Sequence, residues 1–179
     1  FFFFFFHSGC RDLSNRLWER TIHVAALAFV LARKLTKLNA DEVMFAGIVH
    51  DLGRFYLLAR AADYPVLYQD PVVLAETIND LAKEVTEKVL KALNLPASVV
   101  DAVLASREYT GSMPPATMGD LLFVAGIVSP RRDPFEELDE RVIPVASNGV
   151  SLGLDQSIVT EVIAASGDEI YSIVIALES

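Results

Sequence analysis

The run Phe45-Ala46-Gly47-Ile48-Val49-His50-Asp51-Leu52-Gly53-Arg54 constrains this chain more than any other segment. It lies in a stretch from about Glu42 to Arg60 that is apolar nearly all round, with Val43, Met44, Phe45, Ala46, Ile48, Val49, Leu52 and Phe55. A helix without a polar face is the central helix of a soluble domain. An ionisable His-Asp pair inside it must find partners, because burying polar groups alone is costly. Two solutions are open: a metal ion with further ligands, or hydrogen bonds to neighbouring side chains and backbone.

The rest of the chain carries helical periodicity. From Leu13 to Leu38 the residues Leu17, Thr21, Val24, Ala28, Leu31, Leu35 and Leu38 recur at four- and three-residue steps, the stripe of a core-facing helix. Asn39 and Asp41 break that helix and cap the next. A loop through Tyr64, Pro65 and Tyr68 leads to Asp70-Pro71, a cap followed by proline at the first helical position. The helix starting there shows Leu74, Ile78, Leu81, Val85, Val89 and Leu93, until Asn94-Leu95-Pro96 turns the chain into another through Val99, Val100, Val103 and Leu104. Gly111 to Pro115 reads as a loop, Thr117 as the cap of an apolar segment from Leu121 to Val128, and residues 131–150 as an irregular connection. A last helix is expected from Asp155 to Leu177, weakened or bent at Gly167. No alternating strand pattern or internal repeat stands out. The expected fold is an all-α, multi-helix bundle forming one domain over residues 13–179. Residues 1–12 are set apart: six successive phenylalanines cannot all face one side of a helix or strand, and they precede His7.

Composition narrows the function. A net charge of −9 argues against a nucleic-acid binder, which needs clustered Lys and Arg. The phenylalanine run is too short for a membrane span and lacks a basic flank, so no membrane partner is expected. Cys10 is the one cysteine, which rules out an internal disulfide and a Cys-based zinc site and fits the cytoplasm.

The run around His50-Asp51 resembles the "AGLLHDIG" segment of HD-domain phosphohydrolases, and more closely their HDOD relatives. Leu17-Trp18-Glu19-Arg20-Thr21 is similar to the "LWxHS" opening of the HDOD core, and Leu93-Asn94-Leu95-Pro96 to its "WNLP" turn. These landmarks span roughly residues 13 to 130 in the expected order and imply an HD-domain-like bundle. In active HD enzymes, the resemblance implies, an early His, the His-Asp pair and a later Asp hold a metal that activates water against a phosphate ester. Matched by position, the early His falls at Arg20 and the late Asp at Gly126; intervening histidines fall near Lys83 and near Ser106-Arg107. Only His50 and Asp51 remain as a metal-binding remnant, short of the three protein ligands a catalytic site supplies.

Arg20 is therefore expected to pair with Asp51 in place of a metal, with Lys83 as a further pocket cation. The bland readings beside these are a polar anchor for His50 and Asp51, a rim position for His23, core packing for Trp18, and a core or cleft-border role for Tyr56, Tyr64 and Tyr68. Glu76, Glu84 and Glu87 read as a solvated face, and Arg131-Arg132-Asp133 as an exposed charge cluster. The resemblance implies a bacterial signal-transduction module without catalysis or cofactor, acting on protein partners or other signalling domains. The alternative is a metal-dependent phosphohydrolase or phosphodiesterase using a divalent ion. HDOD domains carry a helical lobe before the "LWxHS" helix, and this chain starts almost at that helix; self-association into a homo-oligomer is expected to cover the surface left open.

Overall fold

A computed structural model describes residues 8–107, 114–139 and 156–178. The expectations for His7, the phenylalanine run, the tip of the loop from Gly111, residues 140–150 and Asp155 lie outside them, as does the side chain of Tyr68. The described residues are helical and contain no strand: α1 Ser8–Leu35, α2 Ala40–Val49, α3 Leu52–Ala61, α4 Pro65–Tyr68, α5 Pro71–Ala92, α6 Ala97–Ala105, α7 Met118–Val128, α8 Gln156–Ala165 and α9 Gly167–Glu178.

The helix ends follow the capping residues. Asn39 Oδ1 accepts from the Asp41 amide at 3.0 Å, and Asp70 Oδ1 from the Val72 amide at 3.0 Å ahead of Pro71. Thr117 and Asp120 form a reciprocal capping box at the start of α7. Asn94, after the end of α5, takes φ 54°, the left-handed conformation that turns the chain toward Pro96. At the C-terminal end the expected weak point is a break, with α8 ending before Ser166 and α9 starting at Gly167.

The central helix is α1, not the segment after it. Thr21, Ile22, Val24 to Ala28 and Val30 to Ala32 are all buried, and α1 packs against α2, α3, α7, α8 and α9. Its far half joins α2, α6, α7 and α8 in one apolar cluster through Val24, Leu27, Ala28 and Leu31. Its first half, through Leu13 and Leu17, joins α3, α5 and Phe135 in another. The single helix expected from Glu42 to Arg60 is two helices, because the chain leaves helical geometry at Asp51 (φ −102°, ψ 8°). That break falls on the His-Asp pair and at the seam between the two clusters.

Two glycines let helices cross closely there. A Cβ on Gly47 would stand 2.7 Å from the Ala25 Cα of α1, and one on Gly53 would stand 2.5 Å from the Thr86 Cα of α5. The buried face of α5 is accordingly Leu74, Ala75, Ile78, Ala82, Thr86 and Leu90, while Leu81 and Leu93 of the expected stripe are exposed. Small residues win that face because the backbone of α3 comes so near. Leu38, past the end of α1, is likewise exposed.

Gly53→Ala should cost about 3 kcal/mol, since the added methyl meets backbone that cannot yield. Urea denaturation measures it, and a variant as stable as the parent would show that α3 and α5 can move apart freely.

Candidate functional site

The break between α2 and α3 turns the His50 and Asp51 side chains into the seam. His50 Nδ1 donates to the Gly47 carbonyl at 2.6 Å, satisfying one carbonyl that the end of α2 would leave free. Its Nε2 lies 3.1 Å from Asp51 Oδ2. Both ring nitrogens therefore face oxygen atoms.

Asp51 is buried, and both its oxygens are engaged. Oδ2 meets His50 and lies 3.4 Å from the Thr21 hydroxyl, while Oδ1 lies 3.5 Å from Arg54 Nη1. The same Arg54 nitrogen bonds Asp133 Oδ2, Nη2 reaches Asn79 Oδ1 at 3.4 Å, and the guanidinium stands over the Phe135 ring at 5.7 Å. Asp133 is held in turn by the amide of Phe135 at 2.9 Å, an Asx turn that buries Phe135 completely. Arg20 enters from α1. Its Nε lies 3.5 Å from Asp133 Oδ2, and Nη1 donates to the carbonyls of Gly126 at 3.2 Å and Arg131 at 3.1 Å. A Cβ at Gly126 would come within 3.4 Å of Arg20 Nη2, so the guanidinium occupies the space beside the bare glycine.

Burial alone would push the Asp51 carboxyl up. The charges of His50 and Arg54, the His50 hydrogen bond and the charge of Arg20 outweigh it and hold the group far below the ordinary carboxylate range. Asp133 is lowered against the same burial by Arg54 and Arg20. Arg54 is desolvated yet held more firmly protonated by Asp133 and Asp51. Glu136 moves the other way: burial and its neighbour Asp133 raise it.

These groups line a cavity of about 580 Å³ whose walls also include Val103, Leu122, Phe123 and Ile127 from α6 and α7. No group of three or more His, Cys, Asp or Glu able to hold a metal ion occurs among the described residues. The donor set does not fit a divalent cation: the two carboxylates are already neutralised by guanidinium groups, and Arg20 fills the space beside Gly126.

Of the residues singled out in the sequence, His50, Asp51 and Arg20 are brought together. The expected pairing of Arg20 with Asp51 is corrected: Arg20 pairs with Asp133, and Arg54, one turn along α3, takes Asp51. Lys83 is exposed on α5 and does not line the cavity, so its expected pocket role falls. Asp133 is buried rather than part of an exposed cluster, and Pro134, Phe135 and Asp139 are buried with it. The signal was present in Asp133-Pro134, the same Asp-Pro pattern that caps α5. Arg54 stood beside the motif and was passed over. His23 is half-buried, its Nδ1 2.7 Å from the Glu19 carbonyl, and is not in the cavity wall. Trp18, placed in the core by sequence, is part-exposed with its edge on Phe55, and Tyr56 and Tyr64 are exposed. Glu84 and Glu87 pair with Lys88 and Lys91 on an open face, as expected.

A helical bundle with a His-Asp break at a polar seam is an HD-domain-like fold. The HDOD domain model matches residues 4–109, more than half of the chain, and the chain belongs to that family. A crystal structure from Shewanella amazonensis SB2B, provisionally described as a metal-dependent phosphohydrolase, superposes with a TM-score of 0.71 at 19% identity. The match covers 98% of this chain and 64% of that one, and at that identity it speaks for the fold alone. No curated protein matches the chain.

Arg54→Met should cost about 3–5 kcal/mol, because it leaves two buried carboxylates short of a counter-charge. Folding lowers both carboxyls, so their stabilisation is complete above the unfolded value of about 3.9 and is lost as pH falls below it. In the parent the urea midpoint should therefore not fall on their account between about pH 7 and 4.5, and because Arg54→Met raises both folded carboxyls, its stability deficit against the parent should shrink as pH falls. Coincident acid limbs in the two proteins would show that Arg54 does not set these carboxyls.

Proposed function

We propose that this chain is a regulatory module of bacterial signal transduction that performs no hydrolysis, working in the cytoplasm through contacts with partner proteins or other signalling domains, a second copy among them. The observation that carries the reading is the environment of Asp51. Its two oxygens are engaged by Arg54, His50 and Thr21, and the space beside Gly126 holds the Arg20 guanidinium. A chain-borne cation fills the electrostatic role that a metal would have, and it cannot lower the pKa of a bound water as a metal does. No helix among the described residues is long and apolar enough to cross a membrane.

The second reading is a metal-dependent phosphohydrolase of the HD superfamily. It is favoured by the opening of both His50 and Asp51 onto the cavity, and by the description of the Shewanella protein. Binding a metal there would require Arg54 to leave Asp51 and His50 to give up one of its two hydrogen bonds. Elemental analysis of purified protein, together with hydrolysis of bis-p-nitrophenyl phosphate under added manganese or nickel, separates the readings. The expected result is no stoichiometric metal and no turnover above buffer. Stoichiometric metal with turnover that disappears in His50→Ala would overturn the regulatory reading. Sedimentation should show self-association, and a monomer at every concentration would remove the second copy as a partner.

A further inference from the structure

We infer that the cavity beside His50 and Asp51 is a binding site for a small amphiphilic anion, an acid head carried on an apolar body. The inference stands on the charge balance at the cavity wall and goes beyond how the module signals. Four carboxylates line the cavity, Asp51, Asp133, Glu136 and Glu137. Asp51 and Asp133 are matched by His50, Arg54 and Arg20, and Glu137 is bonded by Arg16. Among the lining cations, Arg131 turns to Glu19 at 3.7 Å. Arg107 and Arg132 have no ion-pair partner among the described residues, and the one carboxylate left opposite them is Glu136. A chain of net charge −9 thus places on one cavity two guanidinium groups that have no ion-pair partner among the described residues.

The neighbourhood strengthens that imbalance. Arg107 lines the cavity while staying exposed; partial burial and the repulsion of Arg54 lower it, and Asp51 and Asp133 work the other way. Glu136 is raised by burial and by Asp133, against the opposing charges of Arg20 and Arg54. A guanidinium pair presents forked donors that suit a phosphate or carboxylate head. The lining also includes Val103, Leu122, Phe123 and Ile127, apolar surface of no use to a bare inorganic anion. The volume of about 580 Å³ is that of a small-molecule site.

Calorimetric titration of the whole chain in EDTA tests the site with four probes. Phenyl phosphate and phenylacetate carry the acid head on a ring, benzyl alcohol keeps the ring without charge, and inorganic phosphate keeps the charge without a body. At least one of the two acids should bind one to one and about tenfold or more tightly than both controls. Which acid does so separates a phosphate head from a carboxylate head. Arg107→Gln and Arg132→Gln should each weaken that acid about tenfold while keeping the parent's circular dichroism and melting temperature. Controls that bind as well as the acids, no binding of either acid at about 5 mM, or variants that bind like the parent would each overturn the site. Phosphorus NMR of the phenyl phosphate sample, repeated with manganese, keeps the two questions apart. Bound ester that is cleaved upholds this site and sinks the non-hydrolytic reading, whereas ester that neither binds nor reacts, with phenylacetate failing to bind as well, does the reverse.

Discussion

Two carboxylates buried at the seam between two apolar clusters have to be met by positive charge, and the rest of this structure is arranged around how that is done. Asp51 and Asp133 approach from different parts of the chain, one at a helix break and one from an Asx turn. Arg54 bridges them, and Arg20 closes the far side of Asp133. Each cation is itself tied down, Arg20 by two backbone carbonyls and Arg54 by Asn79 and the Phe135 ring. Such an assembly contributes little net stability over an apolar equivalent, yet losing one member leaves an uncompensated buried charge. What it supplies is a fixed spatial relation between α1, the α2–α3 break and the segment after α7.

That relation depends on backbone approach as much as on charge. Gly47 brings α2 onto Ala25, and Gly53 brings α3 onto Thr86. Both glycines flank the His-Asp pair, so the residues that turn into the seam are held between two tight crossings. The Thr86 hydroxyl is buried there without a hydrogen-bond partner, which shows how far close packing outweighs polar satisfaction at this crossing.

Much of this was legible in the sequence, for reasons that also explain what was not. Caps and turns are local chemistry, and Asn39, Asp70, Thr117 and Asn94 act where they were expected to. The all-α class rests on periodicity and holds over the described residues, and the HDOD resemblance rests on motif and holds over residues 4–109. The buried face of α5 departs from the stripe of large side chains, because a glycine on the facing helix selects Ala82 and Thr86. The helix break at Asp51 was missed because apolar periodicity runs through it unchanged. The site was half legible. Arg20 and the bare Gly126 were placed side by side by motif matching, and they are neighbours. The choice of Asp133 over Asp51 as the partner of Arg20 depends on a segment more than a hundred residues away, where hydropathy suggested solvent.

The unbroken course of α1 has a mechanical consequence. At 1.5 Å per residue its 28 residues span about 42 Å, and its middle is enclosed on every side. Arg20 and Thr21 ride on this rod at the polar seam, while Leu31 and Ala32 anchor it in the distant cluster. A close-packed interior deforms little under load, so a push on the arginine is carried lengthwise into the opposite end of the bundle. The helix thereby makes a beam of what would otherwise be two loosely jointed blocks.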